Sequence, residues 1–225
     1  MIDKLHYISR EPENGSHLKA IRQALEAGCK WIQLRVKNQS DDIVLAYALE
    51  ANNLCNQYDA KLIINDYPEI ALKVGAYGVH LGLLDMSVTD ARHIVGEKMI
   101  IGGTANTFQH IKQRVAEGVD YIGLGPYRFT TTKQNLSPVL GLSGYEHIMQ
   151  QMYAASIRIP VIAIGGILQD DITDIMQIGL YGVAVSGAIT SANNREQTVK
   201  QIYQLVNVSC LNQDIEAVYS NKRSC

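Results

Sequence analysis

Eight short strand-like runs alternate with eight longer amphipathic stretches along this chain, and no other feature constrains the fold as strongly. The strand candidates lie at 5–9, 31–35, 61–65, 78–81, 99–103, 121–124, 161–164 and 183–186. The helical stretches lie near 17–27, 40–57, 68–75, 87–94, 107–117, 143–155, 170–177 and 194–206. Strict alternation of this kind places a parallel sheet inside a layer of helices. Eight units predict an α/β chain closed into a (β/α)8 TIM barrel, one domain over residues 1–207. A doubly wound open sheet is the alternative. Residues 208–225 find no partner strand and are expected to form a flexible tail.

A second regularity supports the barrel. Gly28, Gly75, Gly118 and Gly179 each end a helical stretch, and the next strand opens three and four residues later at Trp31-Ile32, Gly78-Val79, Tyr121-Ile122 and Gly182-Val183. Glycine just past a helix adopts the left-handed conformation that turns the chain back. Ser40-Asp41-Asp42 and Gln169-Asp170-Asp171 supply capping oxygens and negative charge at helix starts.

Composition narrows the function classes. Twenty Lys plus Arg against 22 Asp plus Glu leave a net charge of −2, so no overall field draws in nucleic acid or an acidic membrane surface. Anionic ligands must be held by local basic residues. Cys29, Cys55, Cys210 and Cys225 form no CxxC pair and are expected to be ordinary thiols. The N-terminus lacks a signal-peptide layout and no apolar run suits a membrane span, so a cytoplasmic protein is expected.

In a parallel barrel, reactive groups gather where the strands end. Gln33, Arg35 and Lys37 alternate onto one side after the second strand. Asn65-Asp66 ends the third, and Asp85 follows the fourth through Gly82. The glycine turns Gly165-Gly166 and Ser186-Gly187, after strands seven and eight, offer backbone N–H groups to one phosphate monoester. Arg35, Lys37 and Lys133 form a separate cationic cluster, and Asp66 with Asp85 suits Mg²⁺, which binds through carboxylates and ligand phosphates. A monophosphate and a diphosphate held together imply displacement of pyrophosphate.

Plainer readings exist. Arg35 and Asp66 can form a structural ion pair, and Asp85 can cap the helix beginning near Ser87. Thr130–Thr132 can be a polar stretch of the long 125–142 link. His80 reads as a packed core histidine, whereas His93, His110 and His147 fall on helices where solvent-facing positions are the default.

The segments QLRVK at 33–37, INDY at 64–67, GVHLGLLD at 78–85, IGGTAN at 101–106, GLGP at 123–126, TTTK at 130–133, IPVIAIGGI at 159–167 and GVAVSGAI at 182–189 resemble, in this order and spacing, the thiamine phosphate synthase family. The resemblance implies a transferase joining a hydroxymethylpyrimidine diphosphate to a thiazole phosphate, with loss of carbon dioxide when the thiazole is carboxylated. It implies that Gln33, Leu34, Arg35, Val36, Lys37, Asn65, Thr104 and Lys133 hold the pyrimidine diphosphate. Arg35, Lys37 and Lys133 then serve catalysis, and Asp66 and Asp85 hold Mg²⁺. Thr130, Thr131, Thr132, Gly166, Val185 and Ser186 would receive the thiazole phosphate. A homodimer is also compatible with the resemblance.

Two departures from the family pattern are Leu83, where a polar residue is usual, and Asn106, where histidine is frequent; Thr104 keeps the hydroxyl of the usual serine. Two other functions fit such a barrel. A thiazole tautomerase needs a histidine at the end of strand six, where this chain has Pro126. A catalytically silent phosphate-binding sensor would be expected to lose the diphosphate and metal residues, which are all present.

Overall fold

Apolar side chains alternate across each short strand, one set turned inward and one outward, and this fixes how the sheet can close. The computed structural model describes residues 1–12, 15–129 and 138–208. Its strands are β1 (Leu5–Ile8), β2 (Trp31–Leu34), β3 (Lys61–Asn65), β4 (Gly78–Leu81), β5 (Ile100–Ala105), β6 (Tyr121–Leu124), β7 (Val161–Ile164) and β8 (Gly182–Val185). They pair in chain order, all parallel, and β1 meets β8 through Leu5↔Val183, His6↔Ala184 and Tyr7↔Val185. The sheet is a closed barrel, which excludes the open doubly wound arrangement.

The helices are α1 (His17–Glu26), α2 (Asp41–Gln57), α3 (Pro68–Val74), α4 (Val88–Val95), α5 (Phe108–Ala116), α6 (Gly141–Ala154), α7 (Ile172–Gln177), α8 (Gly187–Thr190) and α9 (Arg195–Val208). The single turn α8 carries too little periodicity to be read from sequence. The stretch at 170–177 begins as a 3-10 turn at Gln169–Asp171 before α7. Strand β5 runs to Ala105 and takes in Thr104, expected beyond its end. Val208 ends α9 and so belongs to the domain, while 209–225 lie outside the described residues.

Gly28, Gly75, Gly118 and Gly179 have φ of 102°, 64°, 86° and 94°, the positive values their spacing predicts. The expected cap at Ser40 is not made: Ser40 stands at the N-cap but its side chain bonds no helix N–H. Ser16, Ser87 and Thr107 accept such bonds for α1, α4 and α5. No helix among the described residues is long and apolar enough to cross a membrane.

Outward side chains such as Leu34, Ile64, Leu81 and Val185 fill the layer between strands and helices. Ile8, Trp31, Ile63, Ile100, Tyr121, Ile162 and Ala184 pack together inside the barrel. His6 stacks on Trp31 at 4.6 Å between ring centroids, and Tyr121 meets His6 edge-on at 5.2 Å. This aromatic column needs room, and Gly102 supplies it: a Cβ there would strike the Tyr121 ring. Cys29 and Cys55 are buried free thiols, and burial pushes the Cys55 thiol up to about 12.

Candidate active site

Strand order puts the ends of β2, β3 and β4 side by side, and their polar residues meet at the barrel mouth. Gln33 Nε2 donates to Asn65 Oδ1 at 2.6 Å, both residues being buried. The Arg35 N–H donates to Ser9 Oγ at 3.0 Å, and Ser9 Oγ bonds His17 Nδ1 at 2.9 Å, which extends the β1–β2 register beyond the strands. Leu34 and Val36, expected among the pyrimidine contacts, turn their side chains into the core outside the barrel. Only their backbone can face a ligand.

Lys37 forms the ion pair with Asp66, in place of the Arg35–Asp66 pair considered from sequence. Asp66 has φ of 72°, a left-handed conformation that aspartate tolerates better than most residues, and its N–H donates to the His80 carbonyl at 2.9 Å. The Asp85 carboxylate accepts the Gly82 N–H at 2.6 Å and leaves no space for a Cβ on Gly82. The α4 cap is Ser87, so Asp85 is not spent on capping.

Burial, then a hydrogen bond shared with Asp85, push the Asp66 carboxyl up, against the pull of Lys37. Burial acts the same way on Asp85, but the shared bond with Asp66, the Gly82 N–H and Lys37 outweigh it and hold that carboxyl low. The two acids are thus pushed apart, Asp66 upward and Asp85 downward. Burial lowers the half-buried Arg35, while Asp66 and Asp85 oppose that shift through their charge.

Across the mouth, Gly165 and Gly166 turn with φ of 99° and 71°. Ser186 precedes α8, and its Oγ is buried without a hydrogen-bond partner among the described residues. A buried hydroxyl left this way marks a place where a ligand oxygen or water completes the bonding.

The model of the family described as thiamine monophosphate synthase matches residues 5–189. The chain belongs to that family. It is 52% identical over 201 residues to a thiamine-phosphate synthase of Bacteroides fragilis, covering 89% of this chain and 98% of the relative. A thiamine-phosphate synthase of Flavobacterium psychrophilum is 51% identical over 202 residues, with 90% and 98% covered. The structure of thiamine phosphate pyrophosphorylase from Pyrococcus furiosus superposes with a TM-score of 0.77 at 30% identity, covering 92% of this chain and 96% of that one. As a member of the thiamine monophosphate synthase family, the chain is an enzyme of the transferase class.

Within this family member, two arginines and a histidine that sequence reasoning did not assign to the site brace it. Arg114, 3% exposed, donates to the Gly82 carbonyl at 2.6 Å and pairs with Glu117 at 2.9 Å, fixing the Asp85 turn from behind. Arg128 grips Asp171 with two 2.7 Å bonds and donates to the Gly166 carbonyl at 2.9 Å. Arg10 donates to Ser191 Oγ at 2.7 Å beside α8. His80 is the packed histidine expected, yet it also reaches the site: Nε2 bonds Thr104 Oγ1 at 3.0 Å and Nδ1 bonds the Tyr121 hydroxyl at 3.1 Å. Nothing in residue type or spacing announces such long-range partners.

Asn106, the departure from the usual histidine, is 5% exposed and donates its amide to the Gly125 carbonyl at the start of the long link. Its substitution has a structural role there. Leu83 is half-buried in the Gly82–Asp85 turn. His93 and His147 are exposed as expected, whereas His110 is half-buried and its Nδ1 accepts the Asn106 N–H at 3.4 Å. Val185 turns its side chain into the core, leaving its backbone to the cradle. Thr130, Thr131, Thr132 and Lys133 lie outside the described residues. Among the described residues no group of three or more His, Cys, Asp or Glu gathers around one point, so a cation at Asp66 and Asp85 would take its other ligands from phosphate and water.

Proposed function

We propose that the protein is a Mg²⁺-dependent thiamine phosphate synthase, coupling 4-amino-2-methyl-5-(diphosphooxymethyl)pyrimidine to a thiazole phosphate or its carboxylated form. The observation that carries this reading is the convergence of Lys37, Asp66 and Asp85 beside Gln33 and Asn65 at one mouth. The Gln33–Asn65 bond leaves one amide oxygen and one amide NH₂, a donor–acceptor pair complementary to the edge of an aminopyrimidine. Asp66 and Asp85 would hold Mg²⁺, which when bound supplies Lewis-acid neutralisation of the diphosphate oxygens.

The aminopyrimidine ring delocalises a positive charge on its exocyclic methylene. The methylene C–O bond can therefore break first, its electron pair leaving with pyrophosphate. Arg35 and Lys37, with Lys133, stabilise that departing charge. The thiazole nitrogen then donates its lone pair to the methylene carbon and forms the C–N bond. The Gly165–Gly166 turn and Ser186, with Thr130, Thr131 and Thr132, hold the thiazole phosphate so that its nitrogen lies in line. No general base is needed to make this bond, in keeping with a mouth where His80 is engaged with Thr104 and Tyr121.

The tautomerase alternative needs an acid or base at the end of β6, and Gly125-Pro126 offers neither. The deciding assay incubates purified protein with Mg²⁺, the pyrimidine diphosphate and carboxythiazole phosphate, and follows thiamine phosphate and pyrophosphate by chromatography. Product that requires both substrates and Mg²⁺ supports the synthase. Isomerised thiazole without coupling replaces it with the tautomerase, and silence in both assays from folded protein leaves the sensor.

A further inference from the structure

Outside the barrel mouth, a pocket of about 400 Å³ lies between α1 and the α8–α9 corner. It is lined by Arg10, Lys19, Gln23, Thr190, Ser191 and Arg195, with no acidic residue among its described walls. Arg92, Arg114 and Arg128 each pair with a carboxylate. Arg10 and Arg195 form no ion pair among the described residues. Arg10 donates one Nη to Ser191 Oγ, and Arg195 donates Nη2 to the Thr190 carbonyl at 2.9 Å. The Nε of both arginines is nevertheless buried and has no acceptor among the described residues.

An orphaned, buried guanidinium N–H costs its full desolvation, and two from the lining of one pocket point to a missing acceptor there. Phosphate oxygens match the planar fork of arginine, and two arginines carry enough charge to hold a dianion. We propose that this pocket is a second anion site, separate from the reaction centre, which takes the phosphate or diphosphate group of a small molecule. None of Lys37, Asp66, Asp85, Gly166 or Ser186 lines it. Its boundary with the cradle is Arg10, whose Nη1 would lie 3.5 Å from a Cβ on Gly187. The volume exceeds what inorganic phosphate fills, so an organic ester fits as well as the free anion.

The test is calorimetric titration of the intact protein, in EDTA, with inorganic pyrophosphate and, in a parallel arm, adenosine diphosphate. A class of sites that weakens about tenfold or more in Arg195→Gln and Arg10→Gln, but persists in Lys37→Ala, is the expected result. Tighter binding of the nucleotide assigns the site to an organic ester; tighter binding of pyrophosphate assigns it to the free anion. Arg195→Lys, which keeps the charge but lacks the Nε donor, should also weaken the class and guards against a variant that fails to fold. Isotherms of Arg195→Gln and Arg195→Lys that superpose on the parent would overturn the proposal. No turnover is measured, so failure of the coupling reaction leaves this result intact.

Discussion

The Lys37 ammonium rests on Asp66 while Asp66 and Asp85 shift each other's ionisation, so one lysine balances two carboxyls at the barrel mouth. A carboxyl whose folded pKa is raised stabilises the fold only while protonated, and that contribution is lost as pH rises from its ordinary 3.8 through the raised value. Asp66→Asn, which the left-handed backbone tolerates, should therefore raise the melting temperature in EDTA at neutral pH, by the equivalent of roughly 1 kcal/mol after the lost Lys37 pair is counted. The same variant should shift the Mg²⁺ titration of turnover to higher concentration. An unchanged titration would remove the metal role.

Two pockets should separate kinetically. Lys37→Met is expected to lower kcat about 100-fold, with the KM for thiazole phosphate little changed. Ser186→Ala should raise that KM about fivefold and spare kcat. If both variants altered the same constant, the division between leaving group and acceptor would fail.

Arg128 and Asp171 tie the start of the long link to the glycine turn after β7. A double-mutant cycle on unfolding free energy, using Arg128→Met and Asp171→Asn, should give a coupling of about 1 kcal/mol, limited by the exposure of the arginine. Arg128→Met should also weaken thiazole phosphate binding several-fold, because the Gly166 carbonyl loses its anchor. Additive stability effects would argue against the tie.

Burial in the column drives the His6 imidazole down to about 3, with the bond to the Asp3 carbonyl opposing that shift. A histidine depressed below its ordinary 6.5 stabilises the fold above that pH, and the contribution drains away as pH falls toward 3. Urea unfolding should lose roughly 2–3 kcal/mol between pH about 7.5 and about 4.5 from this group. His6→Phe keeps the ring and should flatten the slope, leaving the smaller part due to His17, also lowered by burial. An equally steep profile in the variant would assign acid sensitivity elsewhere.

Gly102→Ala places a methyl group against the Tyr121 ring and should cost about 3 kcal/mol, read as a lower denaturant midpoint. Gly75→Ala meets no neighbour and carries only the cost of its positive φ, so it serves as the control.

Much of this architecture was legible from residue order, because Gly28, Gly75, Gly118 and Gly179 follow helices with positive φ and the next strand opens at a fixed offset from each. Asp66 and Asp85 were legible as partners because strand ends in a barrel share one face. The ion pair goes to Lys37 and not Arg35, and Asp66 takes a left-handed backbone; residue identity alone reveals neither. Leu34 and Val36 turn their side chains into the core, an alternation that a contiguous motif hides. Arg128, whose partner Asp171 lies 43 positions away, gives no local signal at all.

The stack of His6, Trp31 and Tyr121 makes the barrel a cup rather than a tube. Substrates and products must share one opening. If one ligand sits deeper than the other, the shallower one should leave first. A sequential, ordered pattern for the two substrates in steady-state kinetics would be the signature of that shared opening.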